Sequence, residues 1–426
     1  MEKVETFIKQ FENNELNDRL IDIYVDKDKL SNQKFRYIEA LKEYQKVFGN
    51  EVDAIFSAPG RSEIGGNHTD HQHGEVLAAS INDDAIAIVT KNNTTEVNIL
   101  SEGYEMITVS INDLDKKDNE EGTTVSLIRG VLSKTKENGH NIGGFNAYIT
   151  SNVLSGSGLS SSAAFETLIG TILSGLFNDM SISAIEIAII GQYAENVYFG
   201  KPCGLMDQMA CSVGSLCHID FANPADPVVE KITFDLDNAG YSLCITDTKG
   251  SHADLTPDYA AVPTEMKSVA ACFGKEFLHD IPEEDVLSHA SYIREKCGDR
   301  AFLRAIHFYE ENKRVKKEVK ALTDNDIKTF LTTVKNSGDS SYKYLQNVYT
   351  NHQVDKQNIS IALIISEMSL GDNGVARVHG GGFAGTIQAF VKNDAVAEYK
   401  SSMDEIFGEG SCNALKIRKY GGIKVM

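Results

Sequence analysis

Tryptophan is absent from the 426 residues, so any stacking platform for a nucleobase must be built from Tyr, Phe or an aliphatic clamp. The seven cysteines, at 203, 211, 217, 244, 272, 297 and 412, include no CxxC pair. An odd number without close spacing disfavours both a disulfide framework and a zinc knuckle. No apolar run has the length of a membrane span, and the amphipathic, acidic N-terminus lacks a signal-peptide core; a cytoplasmic protein is expected. Positive charge is also scarce. With 41 basic against 61 acidic residues the formal net charge is -20, which disfavours nucleic-acid backbones and anionic membranes as partners. A polyanionic substrate therefore needs a locally positive site. Internal repeats and low-complexity tracts are missing as well.

What is present is a globular composition, 42% hydrophobic and 24% charged, at a length that predicts two to three lobes. Residues 1–50 read as two amphipathic helices, one with Phe7, Phe11, Leu16 and Leu20 on its stripe, the other with Tyr37, Ile38, Leu41 and Phe48. They form a leader expected to pack on the body. A short apolar run at 55–58 predicts a strand stopped by Pro59 and Gly60. Runs at 76–82, 85–90, 97–100 and 106–111, broken by Asn, Asp and Gly, predict successive strands of a sheet. The charged segment 113–122 reads as a solvated excursion. A helix near 125–138 and a strand at 144–150 follow. SAIE at Ser183 has the form of a capping box and opens a helix running to about 199. Strands are predicted at 213–221 and 241–247, the latter opening a second lobe. Residues 258–335 are mostly helical in pattern, with the basic stretch 313–320 as a solvated face. The expected division is a leader at 1–50, an N-terminal lobe at 51–240 and a C-terminal lobe at 241–426.

The most informative stretch is SNVLSGSGLSSSAAF at 151–165. Glycines at 156 and 158 let a backbone approach an anion closely, and serines at 160, 161 and 162 stand at the start of an apolar helix whose N–H groups and positive dipole end face outward. A flexible linker would carry neither the attached helix nor an apolar Leu159. No Lys follows the glycines, so the string is not a Walker A loop.

Four further segments carry candidate chemistry. GRSEIGGNHTDHQHG at 60–74 is a polar stretch between apolar runs. Its His68, Asp70, His71 and His73 invite a metal reading, but neighbouring residues of one turn cannot all face one ion and no distant ligand closes the set. Short Asp, His and Asn side chains on a rigid turn suit forked contacts to sugar hydroxyls better. In CGLMDQM, Asp207 sits among apolar residues and needs a partner if buried. Glu195, twelve positions earlier, is a hard oxygen ligand suited to Mg²⁺. GGGFAG at 380–385 reads as a close-packed turn. Together these describe a phosphoryl-transfer site.

Taken in order, the segments resemble the motifs of the GHMP kinase superfamily, and within it those of the galactokinase family. GRSEIGGNHTDHQHG resembles the pattern GRxNxIGEHTDYxxG, GSGLSSSAA matches the phosphate motif letter for letter, CGLMDQ fits CGxMDQ, and GGGFAG is similar to GGGFGG. The resemblance covers nearly the whole chain. It implies a two-lobed α+β GHMP kinase fold, with an N-terminal lobe of ribosomal S5 domain 2-like type and a C-terminal ferredoxin-like α/β lobe. It further implies ATP-dependent phosphorylation of α-D-galactose at the anomeric C1 hydroxyl. Carried over residue by residue, Asp207 and Arg61 would be catalytic, and Asn67, His68, Asp70, Gly204 and Tyr259 would meet the sugar. Gly156, Ser157, Gly158, Leu159, Ser160, Ser161 and Ser162 would wrap the ATP phosphates, and Ser161, Ser162 and Glu195 would hold Mg²⁺. The implied partners are a small-molecule sugar and ATP, with no nucleic acid and no membrane, in a monomer or weak oligomer. The chain departs from the pattern at Glu63, Asn67 and His71, which stand where the family has Asn, Glu and Tyr. Galactose remains the expected sugar, with N-acetylgalactosamine, galacturonate or arabinose as alternatives, and a sensor that binds sugar and ATP without turnover as another.

Overall fold

The computed structural model describes residues 2–153, 158–250 and 255–426. Within them the first large sheet runs in the order Ile423–Lys424, Ala54–Gly65, Glu75–Lys91, Phe145–Ser151, Glu96–Ser101, Ile107–Ser110, and the far half of Glu75–Lys91 pairs with Leu216–Asp220. One face is covered by the helices Thr124–Glu137, Ser161–Phe177 and Ala184–Tyr193, whose Ile128, Leu168, Ile172 and Ile187 meet Phe56, Ala87 and Phe145. The leader covers the other face. It is three helices, Val4–Glu12, Asn17–Tyr24 and Leu30–Phe48, rather than two, because a turn at residues 13–16, with Asn14 at a left-handed φ of 65°, divides the first stripe between Phe11 and Leu16. A second, four-stranded antiparallel sheet of Gly374–Val378, Thr386–Lys392, Tyr241–Asp247 and Cys412–Leu415 builds the C-terminal lobe. Between the lobes lies a shared core, in which Ile64, Leu77 and Leu159 touch the cluster of Val315, Leu322, Val334 and Phe390.

Two strand boundaries differ from expectation. The strand Ala54–Gly65 passes straight through Pro59 and Gly60, with register shifts at Pro59/Arg61 and Glu63/Gly65. Proline lacks a ladder donor, and the edge strand pairs only with Phe56 and Ser57, so nothing asks Pro59 for an N–H on that side. The two runs at 76–82 and 85–90 form one strand, Glu75–Lys91, despite the Asn82-Asp83-Asp84 interruption. Asp84 is fully buried and stays in the sheet because its carboxylate is surrounded by donors. Arg36 of the leader reaches Oδ1 at 2.6 Å, and Arg418 and Tyr24 reach Oδ2 at 3.0 and 2.8 Å. Burial alone would raise this carboxyl; the two guanidinium charges hold it below its ordinary value.

That cluster ties three distant parts of the chain together. Arg36 comes from the leader and Arg418 from the C-terminal tail, which leaves its own lobe to add Ile423–Lys424 to the edge of the N-terminal sheet. Gly421 is required on this path, since a Cβ there would lie 2.0 Å from the Ser212 carbonyl oxygen. The basic stretch 313–320 is only partly a solvated face: Val315 and Glu318 are fully buried, because the helix Asp299–Thr323 runs between the lobes.

Candidate active site

Arg61 rides on the strand Ala54–Gly65 one residue past Gly60. A Cβ on Gly60 would lie 2.8 Å from the Leu159 carbonyl oxygen, and that carbonyl accepts the Arg61 N–H at 3.1 Å. The missing side chain thus lets the glycine–serine loop lie against the strand. From there the Arg61 guanidinium meets Asp207 as a fork, Nε to Oδ1 at 2.7 Å and Nη2 to Oδ2 at 2.8 Å. Its remaining arm donates to the Gly158 carbonyl at 2.5 Å. Asp207 lies in the first turn of the helix Met206–Val213. It also accepts a bond from the Ser160 hydroxyl. Burial would push the Asp207 carboxyl up, but the charge and hydrogen bonds of Arg61 outweigh it and keep the group below the usual carboxylate range. One third of the Asp207 side chain is still exposed, so an ionised oxygen faces the open side of the site.

The phosphate stretch divides its labour. Leu159 is a core residue, so only its backbone faces the loop. Ser160 adopts a left-handed φ of 60° and its side chain does not cap the helix Ser161–Phe177; the hydroxyl is spent on Asp207 instead. Ser161 opens the helix, and among the described residues its hydroxyl makes no hydrogen bond. Gly158, at φ 72°, packs against the C-terminal lobe, where a Cβ would lie 2.6 Å from Thr386 Oγ1. Gly156 and Ser157 lie outside the described residues.

Glu195 stands in a π-helical turn, Ala194–Phe199, that continues the helix Ala184–Tyr193 after the Ser183 cap. The wider turn leaves Glu195 pointing into the protein, 4% exposed. Its Oε2 accepts Gln208 Nε2 at 2.7 Å and Cys203 Sγ at 3.3 Å. Its Oε1 is shared by Lys201 Nζ at 3.1 Å and Ser162 Oγ at 3.4 Å. An ammonium therefore already sits at the oxygen that faces the helix N-terminus, and the donors there are hard oxygens. This set suits Mg²⁺. Gln208 also donates to Glu166 Oε2 at 3.0 Å. Burial, then the Glu195 charge, push the Glu166 carboxyl well above its ordinary value. Lys201, Gln208 and Glu166 were not singled out in the sequence, although Gln208 is part of the CGLMDQ string; Lys201 offered no signal beyond standing six residues after Glu195.

The polar turn at 67–73 behaves differently from expectation. Asn67 is fully buried and its side chain is saturated by protein: Nδ2 donates to Glu63 Oε1 at 3.0 Å and to the Gly380 carbonyl at 2.7 Å, while Oδ1 accepts Asn347 at 2.8 Å and Ser341 at 3.2 Å. It has no position left for a ligand. His68 is likewise committed. Its Nε2 donates to the Gly381 carbonyl at 3.1 Å and its Nδ1 accepts His71 Nε2 at 3.3 Å, while His71 Nδ1 accepts Gln72 at 3.3 Å. Burial lowers His68 to about 4 and His71 well below the ordinary value, so both rings are neutral, as this donor chain requires. The Asn67 and His68 side chains thus form a buttress joining the turn to the GGGFAG segment. Tyr259 has the same use: its hydroxyl donates to the Gly382 carbonyl at 2.7 Å and its ring lies edge-on to Phe383. Glu63, the other departure, pairs with the buried Arg377 at 2.7 Å.

Asp70 is the exception. Its Oδ1 accepts the His71 N–H at 2.9 Å, and among the described residues its Oδ2 has no hydrogen-bond partner. That oxygen lies where a Cβ on Gly204 would be, 1.9 Å away. Burial, then the Asp207 charge, raise Asp70 to about 6. The structure therefore brings Arg61, Asp207, Asp70, Gly204, Ser160, Ser162 and Glu195 to one place, with two ionisable oxygens, on Asp70 and Asp207, turned toward the same space.

An ion-paired carboxylate, a helix N-terminus and a cation-accepting glutamate on this two-lobed α+β scaffold define a small-molecule kinase of the GHMP type. The family model for GHMP kinase N-terminal domains matches residues 126–215, and the galactokinase galactose-binding signature matches residues 42–91. The galactokinase of Limosilactobacillus reuteri is 30% identical over 382 residues, 86% of this chain and 93% of that protein. The galactokinase of Streptomyces coelicolor is 26% identical over 378 residues, 88% of this chain and 94% of that one. Among solved structures, Lactococcus lactis galactokinase in complex with galactose superposes with a TM-score of 0.76 at 24% identity, covering 90% of this chain and 98% of that one. A mevalonate kinase superposes at 0.61 with 14% identity over 86% of this chain and all of that one. The chain belongs to the galactokinase family.

Proposed function

We propose that this chain transfers the γ-phosphoryl group of ATP to the C1 hydroxyl of α-D-galactose, giving galactose 1-phosphate and ADP. The observation that carries the site reading is the Arg61–Asp207 fork at the N-terminus of the helix Ser161–Phe177. Asp207 accepts a hydrogen bond from the C1 hydroxyl and aims its oxygen at the γ-phosphorus. Arg61 keeps the carboxylate ionised, so Asp207 is a weak base, and in a loose transition state the hydroxyl proton leaves late. Positioning and charge balance are then its main contribution. The new oxygen–phosphorus bond forms as the bond to ADP breaks, with the proton passing to Asp207 and on to water.

The helix N-terminus and the loop 156–162 receive the phosphates. Ser162 and Glu195, with Ser161 beside them, would hold Mg²⁺, which when bound neutralises phosphate charge that a chain of net charge -20 otherwise repels. Asp70 Oδ2 takes a sugar hydroxyl over the flat surface of Gly204, and Tyr259, Asn67 and His68 hold the walls. The sugar and nucleotide meet between the 51–240 and 241–426 units, and the protein works in the cytoplasm as a monomer or weak oligomer. Among the described residues no helix is long and apolar enough to cross a membrane.

One observation favours a related sugar. Where the family pattern carries a glutamate, Asn67 brings an amide that is wholly consumed by the protein, so the turn offers no carboxylate there. A coupled ADP-release assay over galactose, N-acetylgalactosamine, galacturonate and arabinose decides between them. Galactose-dependent release is the expected result. Binding of sugar and ATP without turnover on any of the four would overturn the kinase reading in favour of a sensor.

A further inference from the structure

Lys201 is the one described residue at this site whose position is not explained by the site's own framework. Its backbone N–H is fixed by the Glu195 carbonyl at 3.1 Å, directly after the left-handed Gly200 that ends the π-helical turn. Its side chain is 64% exposed, yet the ammonium turns inward to Glu195 Oε1. Oε2 of the same carboxylate is locked by Gln208 and Cys203, so Oε1 is the only oxygen on which a cation can be exchanged. Ser162, at the start of the phosphate-facing helix, reaches that same oxygen.

Two cations cannot share Oε1 at close range, since like charges a few ångströms apart repel strongly in a partly desolvated site. Arg61 cannot move to relieve the conflict, because three of its donors are committed to Asp207 and Gly158. Lys201 can. It is a compact point charge on a flexible stem with most of its length in solvent. Ser162, which shares that oxygen, stands in the first turn of the helix read as receiving the phosphates, so a displaced ammonium starts beside that phosphate site.

We propose that Lys201 is a switching phosphate-binding residue, which neutralises Glu195 Oε1 while the nucleotide site is empty and moves to the nucleotide phosphates when a divalent cation takes that oxygen. The proposal rests on the reading of Glu195 and Ser162 as the cation site. It assigns the chain a second mobile positive charge beside the fixed one of Arg61, which a protein this acidic needs in order to receive ATP.

The test uses the full-length chain with Lys201→Met and Lys201→Arg. Calorimetry with the Mg²⁺ complex of the non-hydrolysable β,γ-imido analogue of ATP should give a dissociation constant about tenfold higher for Lys201→Met, the size of one charge-assisted hydrogen bond partly screened by water, and within about twofold of the parent for Lys201→Arg. Mn²⁺ binding without nucleotide, followed by electron paramagnetic resonance, should change in the opposite direction. It should tighten about fivefold in Lys201→Met, because the competing ammonium is gone. A merely structural ion pair does not predict this crossing of signs. Analogue affinity within twofold of the parent in Lys201→Met would overturn the proposal, as would weakening of Mn²⁺ and analogue together, which would mean that Lys201 only props Glu195. Failure of the underlying reading looks different: the parent protein itself would then bind neither Mn²⁺ nor the Mg²⁺–analogue complex.

Discussion

Replacing Gly204 by alanine separates the sugar half of the site from the phosphate half. An alanine Cβ would stand 1.9 Å from Asp70 Oδ2 and 2.8 Å from its Cγ, with no backbone atom in the way. The backbone of the CGLMDQ segment is braced by Cys203 N–H on Asn196 at 2.7 Å and by the helix that follows, so the Asp70 side chain is what yields. Turning the carboxylate aside breaks its bond to the His71 N–H and removes Oδ2 from the shared space. A hydrogen bond to a charged group contributes about 1.5–3 kcal/mol. Its loss predicts a fall in kcat/KM for the sugar of roughly ten- to a hundredfold. Asp207, Arg61 and Glu195 do not touch the new methyl group, so analogue binding should stay within about twofold of the parent, less than the loss of any hydrogen bond to a charged group. Steady-state kinetics with sugar varied at saturating ATP gives the first number and calorimetry the second. The decisive comparison is the double variant with Asp70→Ala: if Gly204 acts through Asp70, the alanine at 204 should cost little once Asp70 is gone. Undiminished kcat/KM in Gly204→Ala, or an equal loss in both backgrounds, would refute the argument.

Other outcomes follow from the same geometry. Asp207→Asn should lower kcat by at least about a hundredfold, and a turnover number within tenfold of the parent would remove Asp207 from the chemistry. Asp70, raised to about 6 by burial and by Asp207, takes up its proton as the pH falls through this value, so kcat/KM for the sugar should be full above it and decline below it. Asp70→Asn should abolish that acid limb; a limb that persists would assign it elsewhere. Asp84→Asn leaves Arg36 and the fully buried Arg418 without their counter-charge and should cost about 3–5 kcal/mol in denaturant unfolding, the usual penalty for removing one member of a buried ion pair. A loss below 1 kcal/mol would show that the cluster does not anchor the leader and tail.

Much of the site could be read before folding was considered. The glycine–serine loop entering an apolar helix, Arg61 two residues past a proline, and Asp207 among apolar neighbours are local signals, because a loop's glycine content, a cap or an unpaired acid follows from the few residues around it. Helix periods and the Ser183 cap were legible for the same reason: the Ser183 hydroxyl accepts the Glu186 N–H at 3.1 Å, while the Glu186 carboxylate turns to Asn138 and His140 instead of closing the box. Contacts across hundreds of residues decided the rest. Asn67 and His68 have the chemistry to bind a sugar, but Gly380, Gly381, Ser341 and Asn347, some 270 to 310 positions later, consume their donors and acceptors. Asp84 reads as a strand breaker until Arg36 and Arg418 reach it from opposite ends of the chain. Lys201 carries no signal in the sequence, and the π-helical turn is what brings Glu195 to it. Residue type states what a side chain is able to do; only the packing of distant segments determines which of its bonds remain for a ligand, because each donor and acceptor is used once and the nearest partner takes it.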